Sequence, residues 1–355
     1  MSDIRTYSTN RFKQIFIKKY FLLIVVLCFG FKGFSQDLHF SQFFNTPLTT
    51  NPANTGFIPD ADYRLGAHYR NQWSSILGQP YKTTSVFGDA QILRNQFENG
   101  WMGLGGVILS DVAGTGTLRS TKAYASLAYH QMLGEASLLS AGFNLGWVNK
   151  RIDLSKLTFP SQFNGKFFDQ SITANYPDFV ATNVSYFDMQ AGLNYAYFPD
   201  ENTYINAGYS IHHVNRPSET FFAQRGDSSK IAMRHIGFVN AILKPNDRVI
   251  INPNAYFTTQ AKSKELVLGL NANYNLGEGG EKQLIAGAYY RVGDAVIPVL
   301  GFEIKNIRFT FSYDATTSAL KNFNNFQGAS EFSIIKKGFY NEYNGDTRKV
   351  LCPKF

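Results

Sequence analysis

From about residue 60 onward, apolar and polar residues alternate with a period of two, segment after segment. Leu139, Ala141, Phe143, Leu145 and Trp147 fall on one side of one stretch, with Ser140, Gly142, Asn144 and Gly146 on the other. Leu266, Leu268, Leu270, Ala272 and Tyr274 oppose Gly269, Asn271, Asn273 and Asn275 in the same way, and Ile307, Phe309, Phe311 and Tyr313 oppose Arg308, Thr310, Ser312 and Asp314. Leu65, Ala67 and Tyr69 face away from Arg64, His68 and Arg70. Successive side chains of a strand point to opposite faces, so each stretch predicts a strand with one oily and one polar face. A soluble sandwich alternates too. Two features point instead to a wall in lipid. The segments run about 9–13 residues, longer than the roughly 5–6 of soluble strands and close to the roughly 9–11 that cross a bilayer when tilted. Aromatics also gather near the segment ends, at Tyr69 and Trp73, Trp101, Tyr129, Trp147, Tyr195 and Tyr197, Tyr289 and Tyr290, and Tyr313, as interfacial girdles do.

About fourteen such segments are predicted, starting near residues 62, 82, 100, 118, 137, 187, 202, 233, 247, 264, 282, 296, 307 and 329. Connections after the even segments are short, as at 132–136, Phe198–Glu201, Lys244–Asn246, 276–281 and Lys305–Asn306, with 92–99 the longest of them. Connections after the odd segments include the long ones, 150–186, 214–232 and 315–328. Short turns at one end and long loops at the other is the outer-membrane pattern, and an even strand number leaves both termini in the periplasm. An open sheet cannot cross lipid, because its edge amides go unsatisfied, so the sheet must close. The expected fold is all-β: a transmembrane antiparallel β-barrel of about 14 strands over residues 61–337.

The ends read differently. Residues 20–31, YFLLIVVLCFGF, follow Lys18-Lys19 and precede Gly33 and Ser35. A basic start, an apolar run of about a dozen residues and small residues beyond it predict a signal peptide over residues 1–35, too short to span as a helix of ~20 residues. Residues 36–60, rich in Asn, Thr and Pro and carrying Phe40, Phe43 and Phe44, are expected as a periplasmic N-terminal segment, packed under or into the lumen. Residues 338–355 are expected as a polar periplasmic tail. Cys28 would leave with the signal, so Cys352 has no internal disulfide partner.

Composition narrows the function. Aromatics at 15% and charged residues at only 17% exclude a disordered chain. The net charge of +8 is largely local: residues 1–35 hold six basic side chains against one acidic, and without them it falls to +3. No basic stripe for nucleic acid remains. No catalytic, cofactor-binding or metal-binding set stands out. His212 and His213 are adjacent on a predicted strand and so point to opposite faces, while His68 and His130 lie on polar faces and fit hydrogen bonding in the lumen. Gly103-Leu104-Gly105-Gly106 lacks the Lys-Ser/Thr and helix of a phosphate loop and fits tight packing within a strand. Arg64, Arg70, Lys122, Asp188 and Arg308 are polar-face charges that line a pore, bind an inserted segment or pair with one another. The loop 150–186 carries Phe159, Phe163, Phe167, Phe168, Tyr176 and Phe179 among polar residues. Aromatics at that density fit a protein-binding surface or a loop folded over the barrel mouth.

Specific strings then matter. QDLHFSQFFNTPLTTNPANTGF at 36–57 is followed by YRNQW at 69–73, GWMGLGGVILSDVAGTG at 100–116, FSYDATTSALKNFNNFQGASEFSI at 311–334 and CPKF at 352–355. In this order they resemble the PorP/SprF family of type IX secretion outer-membrane proteins. The matched motif residues are Asn51, Pro52, Ala53 and Gly56, then Tyr69, Arg70, Gln72 and Trp73, then Tyr313, Asp314, Ser318, Leu320, Gly328 and Glu331. The resemblance implies a barrel in the outer membrane of a Bacteroidetes-type bacterium. It implies a non-enzymatic part in type IX secretion, with no cofactor. As partners it implies a secreted adhesin-type cargo, gliding adhesins included, held by its C-terminal domain, and a periplasmic peptidoglycan-linked lipoprotein or other secretion component. Periodicity alone leaves a second reading open, an outer-membrane barrel that transports small hydrophobic or polar solutes. Arg70 falls on the lumenal face by alternation, and the first and last strands of a closed barrel adjoin, so Asp314 or Glu331 is its expected partner. Trp73 is expected as an interface anchor.

Overall fold

A computed structural model describes residues 38–174, 179–222, 229–277 and 281–340. The expected signal peptide, both cysteines, Tyr176 and most of the C-terminal tail lie outside the described residues. Fourteen antiparallel strands form one closed barrel. They are β1 Tyr63–Gln72, β2 Tyr81–Phe97, β3 Gly100–Ala113, β4 Leu118–Met132, β5 Ser137–Arg151, β6 Asn183–Asp200, β7 Thr203–His212, β8 Arg234–Asn246, β9 Val249–Gln260, β10 Ser263–Asn275, β11 Lys282–Arg291, β12 Ala295–Ile304, β13 Ile307–Thr316 and β14 Gln327–Gly338. Each pairs with its sequence neighbours. The seam between β1 and β14 closes in an unbroken register from Tyr63 opposite Gly338 to Gln72 opposite Ala329. Among the described residues no helix is long and apolar enough to cross a membrane. The strands do the crossing.

Alternation along each strand sorts the side chains. Leu65, Val86, Leu104, Ile108, Leu145, Leu193 and Leu300 are exposed on the outside, while His68, Ser126, His130, Asn144, Gln190 and Asn194 are buried within. A continuous apolar exterior of this extent is stable only against lipid. Tyr129, Tyr195, Tyr197 and Tyr274 stand on it toward the short-turn end, and Trp147, Tyr209 and Tyr290 toward the long-loop end. By the short-turn rule the former end is periplasmic. Trp101 and Tyr289, expected in these girdles, are each 2% exposed and point inward. They have the opposite phase from their outward neighbours Met102 and Tyr290.

Three of the turns expected on the periplasmic side move outward. β2 runs on to Phe97 past a register shift between Ile92 and Phe97, leaving only Glu98 and Asn99 as the turn. β6 and β8 run through Pro199 and Pro245, where the register slips between Tyr197 and Asp200 and between Leu243 and Asn246. Proline has no N–H for the ladder, so a bulge forms and pairing resumes beyond it.

Residues 38–62, which take in the described part of the segment expected at 36–60 under or in the lumen, lie inside the barrel. They thread the lumen from its extracellular end to the start of β1 at the periplasmic end. The Leu38 carbonyl accepts from Arg234 at the outer end of β8 (2.8 Å). The Asn45 side chain donates to Thr310 at mid-wall (2.8 Å), and Asp60 pairs with Lys337 near the inner end of β14 (2.5 Å). Short turns fold the segment: 3-10 turns at Phe43–Asn45 and Pro52–Asn54 and one helical turn at Pro47–Thr50. Pro47 and Pro52 occupy first-turn positions, where no N–H is needed. A buried irregular backbone must find partners for its polar groups. The polar inner wall supplies them: His68 pairs with the Asn45 carbonyl (3.0 Å), His130 with the Thr55 carbonyl (2.8 Å), and Ser210 donates to the Thr50 carbonyl (2.7 Å). Segment and wall also share apolar clusters, Phe40 and Leu48 with Phe87, Val107 and Tyr124, and Phe43 with Ile236 and Tyr256.

Candidate functional site

Toward the extracellular end the lumen holds a buried charged cluster built around Ser41 and Gln42. Arg70 on β1 points inward, 3% exposed. Its guanidinium pairs with Glu331, its register partner on β14, with Asp314 on β13 at 3.2 Å, and donates to Ser41 Oγ at 2.8 Å. Arg291 on β11 reaches the same centre, at 3.0 Å from Asp314 and 2.6 Å from Ser41 Oγ. Ser41 Oγ then donates to Asp314 (2.8 Å), so the hydroxyl uses its one proton and both lone pairs. The two oxygens of Glu331 accept from the main-chain N–H of Ser41 (2.7 Å) and of Gln42 (2.9 Å). Arg291 also pairs with Asp294 at 3.1 Å and Glu265 at 3.6 Å, so two arginines meet four carboxylates, and Asp314 and Glu331 each also hold the threaded segment. Buried ion groups are tolerated when paired and hydrogen-bonded in this way, and their geometry specifies one arrangement.

Asn51, Pro52, Ala53 and Gly56 are the second anchor. The Asn51 side chain accepts from Ala53 N (2.9 Å), capping its own turn, and donates to the Leu193 carbonyl on β6 (2.8 Å). The wall opposite is made of inward glycines. A Cβ on Gly192 would overlap Asn51 Oδ1, one on Gly142 the Pro52 carbonyl, and one on Gly103 the Thr55 carbonyl. Gly56 has φ +67, donates its N–H to Asp89 (2.8 Å) and accepts from Trp101 Nε1 (3.0 Å). Positive φ and this close approach both favour glycine. Asp89 is itself held by Arg64 at 2.7 Å.

The remaining motif positions gather at the outer ends of β1, β13 and β14. Gln72 accepts from Arg70 (3.3 Å), and Trp73, at φ +58, donates its N–H to the Gly328 carbonyl (2.8 Å). Its ring lies 5.2 Å from that of Tyr81 at the outer rim. Ser318 donates its N–H to the Asp294 carbonyl (3.1 Å), Leu320 precedes the short helix Lys321–Asn324, and Tyr69 and Tyr313 point outward. The structure therefore brings Arg70, Gln72, Asp314 and Glu331 together and leaves Tyr69 and Tyr313 on the lipid side.

In the β5–β6 loop, Phe163, Phe167 and Phe168 are about half exposed, at 49, 59 and 53%. Phe159 and Phe179 are half-buried. Phe163 and Phe168 bracket a tight turn with ring centroids 5.3 Å apart. Phe179 pairs with Phe222 of the β7–β8 loop at 4.8 Å, and Val180 N donates to the Phe221 carbonyl (3.0 Å). Lys150 and Tyr186 both reach Glu219 at 2.6 Å. Two long outer loops are thus fastened to each other at their bases while three phenylalanines stay in the open.

Alternation fails at His213. It follows the end of β7 with φ +58, so it is buried beside His212 instead of opposite to it, with Nδ1 at 2.8 Å from Asp188. Among the described residues no three or more His, Cys, Asp or Glu group as metal ligands do. Sequence reasoning missed Ser41, Arg291, Asp89 and the glycines 142 and 192. The strand phase of Arg291, Asp89 and the two glycines was readable, but their common target was not, because a threaded segment joins strands far apart in the chain.

Residues 32–335 match the family described as type IX secretion system membrane protein PorP/SprF. No curated protein matches the chain. Among solved structures, the toluene transporter TodX of Pseudomonas putida is similar at 12% identity and a TM-score of 0.48, covering 84% of this chain and 95% of TodX. The Ralstonia pickettii toluene transporter TbuX is similar at 12% and 0.47, over 83% and 94% of the two chains. A Pseudomonas aeruginosa FadL homologue is similar at 11% and 0.48, over 82% and 93%.

Proposed function

The chain belongs to the PorP/SprF family of type IX secretion system membrane proteins of the outer membrane, and from that premise we propose that it escorts a secreted adhesin-type protein to the cell surface and anchors it there. The observation that carries this reading is the trio Phe163, Phe167 and Phe168, exposed on a long extracellular loop. Aromatic side chains left in water on an ordered loop fit the buried centre of a protein interface. The cargo's C-terminal domain is the proposed occupant. The short periplasmic turns are the proposed contact for a peptidoglycan-linked lipoprotein or another secretion component. The role is non-enzymatic, one of binding and holding. A solute channel is the weaker reading, because residues 38–62 thread the lumen and bond to its wall from the extracellular to the periplasmic end.

Deleting residues 160–170 tests the proposal. The barrel should insert and keep its heat-resistant folded form, while surface display and co-purification of the cargo fall to background. Undiminished cargo display by the deletion strain would overturn it.

A further inference from the structure

On the lipid side of β2 to β6 the strand register sorts the outward side chains into rows that cross the strands. At the extracellular edge Lys82 on β2, Arg119 on β4 and Arg151 on β5 fall in one row, joined through Val112 on β3, and all three are exposed. Two residues along each strand toward the periplasm come Thr84, Ser110, Thr121, Asn149 and Ser185. The next row is apolar: Val86, Ile108, Ala123, Trp147 and Phe187. Beneath it Gly88, Gly106 and Ala125 are neighbours in register.

Charge and shape both set this arc apart from plain lipid-facing wall. Arg119 and Arg151 stand directly opposite each other, and like charges in that position repel. Among the described residues neither they nor Lys82 enters an ion pair, and Asp153, two residues past Arg151, is occupied by Ser155 and Lys156. An anion from outside the chain relieves the repulsion. The small residues below sink a groove of about 760 Å³ into the apolar wall. Gly88, Gly106, Ala123 and Ala125 lie low in it, and Leu65, Ile108, Trp147 and Phe187 form its banks. Phe187 is 73% exposed.

We propose that this arc binds a phosphorylated glycolipid of the outer leaflet, with phosphate on the cation row, sugar on the hydroxyl row and an acyl chain in the groove. Guanidinium forks match phosphate oxygens in geometry as well as charge. The hydroxyl row crosses five strands, about 19 Å at ~4.8 Å between strands, a width that suits sugar rings and exceeds what one glycerophosphate needs. Asn149 donates to Asn183 (2.5 Å) and Ser185 (2.9 Å) and so holds the row in place. An acidic protein would meet the cations but leave the groove, which lies within the lipid, unfilled. The order of the rows, charge outermost and apolar groove innermost, is the order of the ligand's own parts.

The test is titration of the full chain in detergent with phosphorylated lipid A, read by native mass spectrometry. The variants are the double substitution Arg119→Gln with Arg151→Gln, and Ala125→Trp, which fills the groove. Lys264→Gln, an exposed cation on β10 outside this arc, is the control. All these side chains lie on the outer face, so each variant should keep the heat-resistant folded form, which is checked first. Saturable retention of lipid A is expected, weakened at least tenfold by the arginine pair and by Ala125→Trp and unchanged in the control. Dephosphorylated lipid A and phosphatidylglycerol, which lacks the sugar, should each bind at least tenfold more weakly. No saturable retention, retention indifferent to both variants, or equal binding of phosphatidylglycerol overturns the site. Displacement of lipid A by polyglutamate would assign the cations to an acidic protein and overturn it as well.

Discussion

Residues 38–62 and the β5–β6 loop are both irregular, polar and rich in phenylalanine, yet they settle in opposite surroundings. Phe40, Phe43 and Phe57 in the first are at most 7% exposed, while Phe163, Phe167 and Phe168 in the second are about half exposed. The difference lies in the backbone. In the lumen, carbonyls and N–H groups of residues 38–58 meet His68, His130, Ser210, Gln91 and Glu331 from the wall. In the loop, the side chains of Asp153, Asn164 and Asp169 accept from main-chain N–H groups two or three residues away, and Asp153 N donates to the Gly116 carbonyl of a neighbouring outer loop (2.9 Å). The first segment is part of the wall's interior; the second is held by its own turns and by neighbouring loops and offers its rings outward.

The comparison breaks most sharply at Glu331. Replacing it with alanine leaves Arg70 buried without that partner and frees two main-chain donors, at a cost of about 3–5 kcal/mol. The urea midpoint of the refolded barrel should fall, and protease should begin to cut within residues 38–45. An unchanged midpoint would mean that the cluster does not hold the segment. Gly142→Val comes next. It pushes side-chain carbon into the Pro52 carbonyl and should cost about 1–3 kcal/mol, read by the same unfolding curve. In the loop, changing Phe163, Phe167 and Phe168 together to serine should move stability by no more than about 0.5 kcal/mol while cargo retention is lost. A large stability loss there would mean that the rings pack as the lumenal ones do.

The smallest effect concerns the inner rim, at Asp60. Burial pushes its carboxyl up, but the adjacent Lys337 ammonium outweighs this and holds it below the ordinary carboxylate value. A depressed value in the folded state means that the tie is fully present above the unfolded pKa of about 3.9. It is lost only as pH falls through the lower folded value. Protease resistance at residues 58–62 should therefore stay level from pH 8 to about 4 and decline only in stronger acid. A decline already near pH 6 would assign the tie to another group.

Most of the wall was legible in the sequence. Lipid outside and polar groups inside force a two-residue period, and thirteen of the fourteen expected strand starts lie within two residues of those observed. The exception, β6, begins at Asn183 and not near 187, because its first residues pair with the outer end of β5 beyond the lipid-facing stretch. The pairing of Arg70 with Asp314 and Glu331 was also within reach, since closure sets the first strand beside the last. What stayed hidden depends on contacts across the lumen. Nothing local distinguishes Ser41 from any other serine, and Trp101 resembled a girdle residue until Gly56 supplied its acceptor. His213 departs from the pattern because one residue in the left-handed region turns the chain.

The seam carries a consequence for assembly. Asp314 and Glu331, which clasp Ser41 and Gln42, belong to the final hairpin, and that hairpin also zips against β1. The two carboxylates that hold Ser41 and Gln42 are therefore made after the rest of the wall, including Arg70, Arg234 and Arg291, which also hold this stretch. Sealing of the cylinder and completion of the clasp on its own leading stretch become one event, and a precursor halted before that hairpin would have neither.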